Sequence, residues 1–88
     1  MTVTIQQALD LHRQGRLEQA AELYAQLLQS DAANFVALQF LGVLRGQQGR
    51  HGEALALIES ALKLQPGDFG ALANYGQTLM AAGRPLDA

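Results

Sequence analysis

Apolar residues in this chain recur at helical spacing, and the spacing itself recurs. Within 52–64, Ala54, Leu57, Ile58, Ala61 and Leu62 follow i, i+3, i+4, i+7, i+8. That pattern forms one apolar stripe on a helix. Within 18–30, Ala20, Leu23, Tyr24, Leu27 and Leu28 repeat it. In 35–48, Leu38, Leu41, Gly42 and Arg45 occupy the matching face of a partner helix. The pattern predicts helices over 18–30, 35–48, 52–64 and 69–82, with one more ending near His12. The junctions "QGR", "QGR" and "AGR" at 14–16, 48–50 and 82–84 divide them. Glycine there can take the left-handed conformation that closes a helix. Asn34 and Asp68 precede the next helices as N-caps, and Pro66 stops the helix before it.

Sliding the sequence on itself by 34 residues aligns Gly15, Gly49 and Gly83, and likewise Arg16, Arg50 and Arg84. Ala20, Ala54 and Ala88 align too, as do Ala8, Gly42 and Gly76. The units are 1–34, 35–68 and an incomplete 69–88, all within one domain, 1–88. Each unit is a helix–turn–helix. The small residues at positions 8 and 20 of each unit face each other where its two helices cross, where a large side chain would push the pair apart. Pro85 suits the first turn of the helix due next.

The stretch "FVALQFLGVLRGQQGRHGEALALIESALKLQP" at 35–66 resembles the tetratricopeptide repeat. It carries the large–small pair Leu41–Gly42, then Gly49, Ala54, Ile58, Ala61 and Pro66. The resemblance covers the whole chain as two and a half repeats. It implies an all-α fold of antiparallel helix–turn–helix units stacked as a right-handed α-solenoid. It also implies a piece of a longer array, the N-terminal part of a larger bacterial protein. Departures fall mostly in the first repeat. Thr4 and Gln7 replace bulky apolar residues, Ala32 replaces a proline, and in the second repeat Arg45 replaces a tyrosine. They predict looser packing of the first repeat and a less firmly fixed exit turn at 31–34.

Composition narrows the function by exclusion. Net charge is −2, with five Arg, one Lys and eight carboxylates in no run of one sign. Neither a nucleic-acid footprint nor a membrane-surface patch is expected. No stretch approaches the roughly 18 apolar residues that mark a spanning helix. Cysteine is absent, which removes disulfides, zinc thiolates and thiol nucleophiles. A reducing compartment fits, and a cytoplasmic location is the expectation. His12 and His51 read as surface histidines: no carboxylate stands three or four residues from His12 on its helix, and His51 lies in a turn. Ser30, Ser60, Thr2, Thr4 and Thr78 occupy no nucleophile elbow. Glu18, Glu22, Glu53 and Glu59 read as a solvated face. The chain is expected to be no enzyme, with no metal and no cofactor.

What remains is surface. The resemblance places first helices on the concave side, at positions 2, 5, 6, 9, 12 and 13 of each repeat. These are Thr2, Ile5, Gln6, Leu9, His12 and Arg13; then Val36, Gln39, Phe40, Val43, Gly46 and Gln47; then Gly70, Ala73, Asn74, Gln77, Met80 and Ala81. This wall is apolar with amides. A lysine clamp for a peptide carboxylate is absent, because Lys63 lies on a second helix. An asparagine ladder, as in O-linked N-acetylglucosamine transferases, has one rung, Asn74. Gln39, Phe40, Val43, Asn74 and Gln77 are the expected protein or peptide contacts. The third first-helix has Leu72, Tyr75, Leu79 and Met80 available for packing and self-association; part of that surface is expected to meet 52–64 and the rest expects a partner. Two or three such side chains half-exposed forfeit about 2–4 kcal/mol. The isolated chain is therefore expected to self-associate, with 31–34 as a hinge for helix exchange. Two rival roles are a substrate-guiding appendage of a glycosyltransferase-like enzyme and an oligomerisation module without other ligand.

Overall fold

A computed structural model describes residues 3–83. Five helices follow one another: α1 (Ile5–Arg13), α2 (Leu17–Ser30), α3 (Phe35–Gln47), α4 (His51–Leu64) and α5 (Phe69–Ala81). The fold is all-helical, as the apolar stripes predict. Gly15, Gly49 and Gly83 hold φ of 79°, 79° and 71°. Backbone bonds from Arg16 to Leu11 and from Arg50 to Arg45 then satisfy carbonyls that the helix ends leave open. Asn34 and Asp68 cap α3 and α5 by accepting from the Ala37 and Ala71 amides. Pro85, and the pairing of Ala88 with Gly76, lie outside the described residues.

Two departures in the first repeat have local hydrogen-bond partners. Thr4 and Gln7 are a capping box: the Gln7 amide donates to the Thr4 hydroxyl, and the Thr4 amide donates to Gln7 Oε1. Two polar residues thus satisfy two orphan donors where the family places apolar bulk. The 31–34 turn, though it lacks proline, is tied by Asp31. Its side chain accepts from the Ala33 amide and its carbonyl from the Asn34 amide.

The helices pack in sequence, α1 on α2, α2 on α3, α3 on α4, α4 on α5. In addition α1 meets α3 and α3 meets α5. Among the described residues no Cα of α2 comes within 8 Å of one in α4. One layer is closed and the other splayed, so the array bends towards its first helices. The molecule measures 45 × 25 × 18 Å, longer than a globule of this size, as a stack of pairs should be. Ala8, Ala20, Ala21, Tyr24, Ala37, Leu41 and Leu44 form one buried cluster, with Ala54, Leu55, Ile58 and Ala61 buried along α4.

The crossing within the second repeat leaves no room for a further methyl group. A Cβ on Gly42 would stand 2.6 Å from Ile58 Cγ1 and 3.2 Å from the Ala54 carbonyl. At Gly46, one turn on, the nearest atom to a new Cβ is Ala54 Cβ at 3.8 Å, an ordinary contact. Gly42→Ala should therefore cost about 1–3 kcal/mol by overpacking. Gly46→Ala should be neutral or stabilise by up to about 1 kcal/mol through helix propensity. Thermal denaturation of the two variants side by side checks this, and equal melting temperatures would refute it.

Candidate functional site

His12 ends α1 and faces inward. Tyr24, fully buried on α2, lies 3.0 Å from its Nδ1, and Gln47 Oε1, at the end of α3, lies 2.7 Å from its Nε2. A carbonyl oxygen only accepts, so Nε2 carries the proton and donates to Gln47. In the neutral ring Nδ1 then accepts from the Tyr24 hydroxyl. The imidazole also meets Tyr24 and Phe40 edge-on, with ring centroids 5.9 and 6.5 Å apart. Burial pushes the Tyr24 phenol up to about 12. His12 is thus no plain surface histidine but a half-buried bridge between three helices. Its partners stand 12 and 35 residues away, beyond any search along one helix face.

Beside this bridge runs a groove between α1 and α3 of about 670 Å³. Its floor is Leu9, Phe40 and Val43, and its rim is Gln6, His12, Arg13 and Gln47. The charges on the rim neutralise one another: Asp10 Oδ1 accepts from Arg13 at 2.8 Å and from Gln6 Nε2 at 3.0 Å. A second hollow of about 280 Å³ continues between α3 and α5. It shares Val43 and Gln47 with the first and adds Asn74, Gln77, Thr78 and His51. His51, expected in a turn, is the first residue of α4, and its buried Nδ1 has no hydrogen-bond partner.

Of the expected contact residues, Phe40, Val43, Asn74 and Gln77 line this surface. Gln39 does not. It is only 8 % exposed and lies against the first turn of α5, its Nε2 3.2 Å from where a Cβ on Gly70 would stand. In the second repeat, position 5 thus points at the next first helix. Thr2 lies outside the described residues. On α5, Leu72 and Met80 are 45 % and 75 % exposed. Leu79 is a correction, at 8 % exposed: α5 runs antiparallel to α4, so its last turns lie beside the start of that helix. Tyr75 is half-buried and donates to Glu59 at 3.0 Å. Phe69, not among the expected contacts, is the most exposed large apolar side chain among the described residues, at 88 %.

The hydroxyls of Ser60 and Thr78 donate to the carbonyls of Ala56 and Asn74, and Thr4 is a cap, so these groups serve their helices. No helix among the described residues is long and apolar enough to cross a membrane. The family model described as tetratricopeptide repeat matches residues 5–69 and again 41–88. No curated relative matches the chain.

Tyr24→Phe should cost about 1–2 kcal/mol, because it leaves the His12 Nδ1 without its donor. It should also change the alkaline limb. The folded phenol holds its proton up to about 12 against an ordinary 10, so its contribution is complete below pH 10 and is lost as pH rises through 12. Urea denaturation at about pH 8 and about pH 11 should show a fall in wild type that is smaller in the variant.

Proposed function

This chain belongs to the tetratricopeptide repeat family, and we propose that its groove along α1, α3 and α5 holds a peptide or an extended segment of a protein. Repeats of this family mediate protein–protein interaction and are typically not catalytic. The observation that carries the reading is continuity: Val43 and Gln47 line both hollows, so three first helices offer one surface. An apolar floor supplies burial, and amides along it both donate and accept towards a main chain. Phe40, Val43, Asn74 and Gln77 are the contacts. A parent protein that used the groove to guide a substrate to a catalytic domain would employ the same residues.

Phe40→Ala should weaken capture of a groove ligand at least tenfold, as the loss of a central aromatic anchor does. Asn74→Ala should weaken it roughly fivefold, about one hydrogen bond. Selection from a random peptide display library on the wild-type protein, followed by titration of both variants, checks this. Ligands that bind both variants as tightly as wild type place the contact elsewhere.

A second reading rests on α5. Phe69, Leu72 and Met80 are exposed together on one helix. In the preceding repeat Leu38, the counterpart of Leu72, is buried. Covering such side chains is worth roughly 1.5–3 kcal/mol each. We expect the isolated chain to self-associate through this face. Light scattering over a concentration series should show growth in mass that Leu72→Glu with Met80→Lys abolishes; a wild type monomeric throughout refutes it.

A further inference from the structure

We propose that the groove between α1 and α3 selects an uncharged, extended peptide with one aromatic or branched aliphatic anchor. The inference rests on the groove being a binding surface and adds which chemistry it accepts.

Two rim amides have their polarity fixed from inside the protein. Gln6 uses its Nε2 on Asp10, which leaves Oε1 as the free atom, an acceptor. Gln47 gives its Oε1 to His12 Nε2, which leaves its amide nitrogen as the free atom, a donor. A free glutamine side chain can turn either way; Gln6 cannot without losing its bond to a carboxylate, and Gln47 turns only if His12 changes tautomer and the buried Tyr24 hydroxyl gives up His12 Nδ1 as its acceptor. They stand on the rim of one hollow, one on α1 and one on α3, above the floor of Leu9, Phe40 and Val43. One acceptor, one donor and an apolar floor between them match the N–H, the C=O and the side chain of a peptide in extended conformation.

The charges argue for a neutral occupant. Among the described residues that line this hollow Arg13 carries the charge, and it pairs with Asp10 at 2.8 Å. An acidic ligand would have to draw Arg13 from Asp10 and leave that carboxylate beside it. A basic ligand attracted to Asp10 would compete with both its bonds and so with the orientation of Gln6. A neutral ligand leaves the ion pair and the acceptor as they are. His12 is a positioning residue: it orients Gln47, while Tyr24 below it fixes the ring.

The test uses isotope-labelled protein titrated with short capped peptides, followed by amide chemical shifts. One peptide has a central phenylalanine flanked by serine and alanine; two others carry aspartate or lysine beside the phenylalanine. The neutral peptide should bind tightest, with shifts confined to α1 and α3. Its affinity should change less than about twofold between roughly 0.05 and 0.5 M salt, since no ion pair is made. Methylating the backbone nitrogens one at a time should find a position that weakens binding roughly five- to tenfold, the size of one hydrogen bond. At that position the loss should shrink below about twofold on Gln6→Leu, because the partner is already gone. Gln6 is exposed, so the variant is expected to fold.

A charged peptide that binds more tightly, with affinity that falls in salt, overturns the proposal and leaves the groove reading standing. Equal losses on wild type and Gln6→Leu overturn the assignment of Gln6 in the same way. Shifts in α1 and α3 that follow protein concentration without peptide identify a second copy as the occupant and overturn it too. No shift with any peptide removes the groove reading along with it.

Discussion

Everything in this molecule depends on how closely two helices of one repeat can approach. At the crossing of α3 and α4 the limit is set by Gly42, which lies against the Ala54 carbonyl and the Ile58 side chain with no room for a methyl group. In the first repeat Ala8 and Ala20 do the same work, both wholly buried. The spacing within a pair decides how the next pair stacks. Stacking decides whether first helices touch one another while second helices splay. That asymmetry makes a groove out of what would otherwise be a flat bundle face. A change of one methylene at the crossing therefore acts on the groove at a distance, through helix separation rather than through any contact with a ligand.

His12 ties that packing to the surface. Its ring lies above Tyr24, a core residue, and its far nitrogen orients Gln47 on the rim. The buried phenol would be costly without a partner, so the imidazole resolves a problem of the core. In the tautomer that donates to Gln47, Nδ1 accepts the phenol proton, so the state of the ring and the atom that Gln47 offers go together. One side chain thus carries a structural demand from the interior to the recognition surface.

Much of the fold was legible because its causes are local or periodic. The glycine at each junction must be left-handed, Asn34 and Asp68 must cap, and the apolar stripes recur at fixed offset. These signals need no knowledge of what lies across the fold. The site was less legible for the converse reason. His12 looked solitary because its partners are on other helices. Gln39 looked like a groove residue because position in the repeat fixes a direction but not which neighbour stands there; Gly70, lacking a side chain, lets α5 close over it. Leu79 looked exposed because the start of α4 lies beside it only in three dimensions. Thr4 and Gln7 departed from the apolar pattern, and the departure has a local cause: they replace packing with a capping box. That signature was present in the sequence, masked by the expectation of a repeat.

Repeat arrays face a particular difficulty as recognition surfaces. Their grooves are lined by side chains at recurring positions, and long amides there are free rotors that lose entropy when a ligand fixes them. This chain removes part of that cost in advance. Asp10 holds Gln6 and His12 holds Gln47, and each of those holders is itself engaged, one by Arg13 and the other by Tyr24. The cost of ordering is met during folding, where burial of Tyr24 and the helix crossings supply the free energy. Among the described residues, no side chain holds the amides of Asn74 and Gln77 in the third repeat in this way. The groove is therefore ordered at its first-repeat end and adaptable at the other. An extended ligand would be read most strictly where α1 meets α3 and more loosely towards α5.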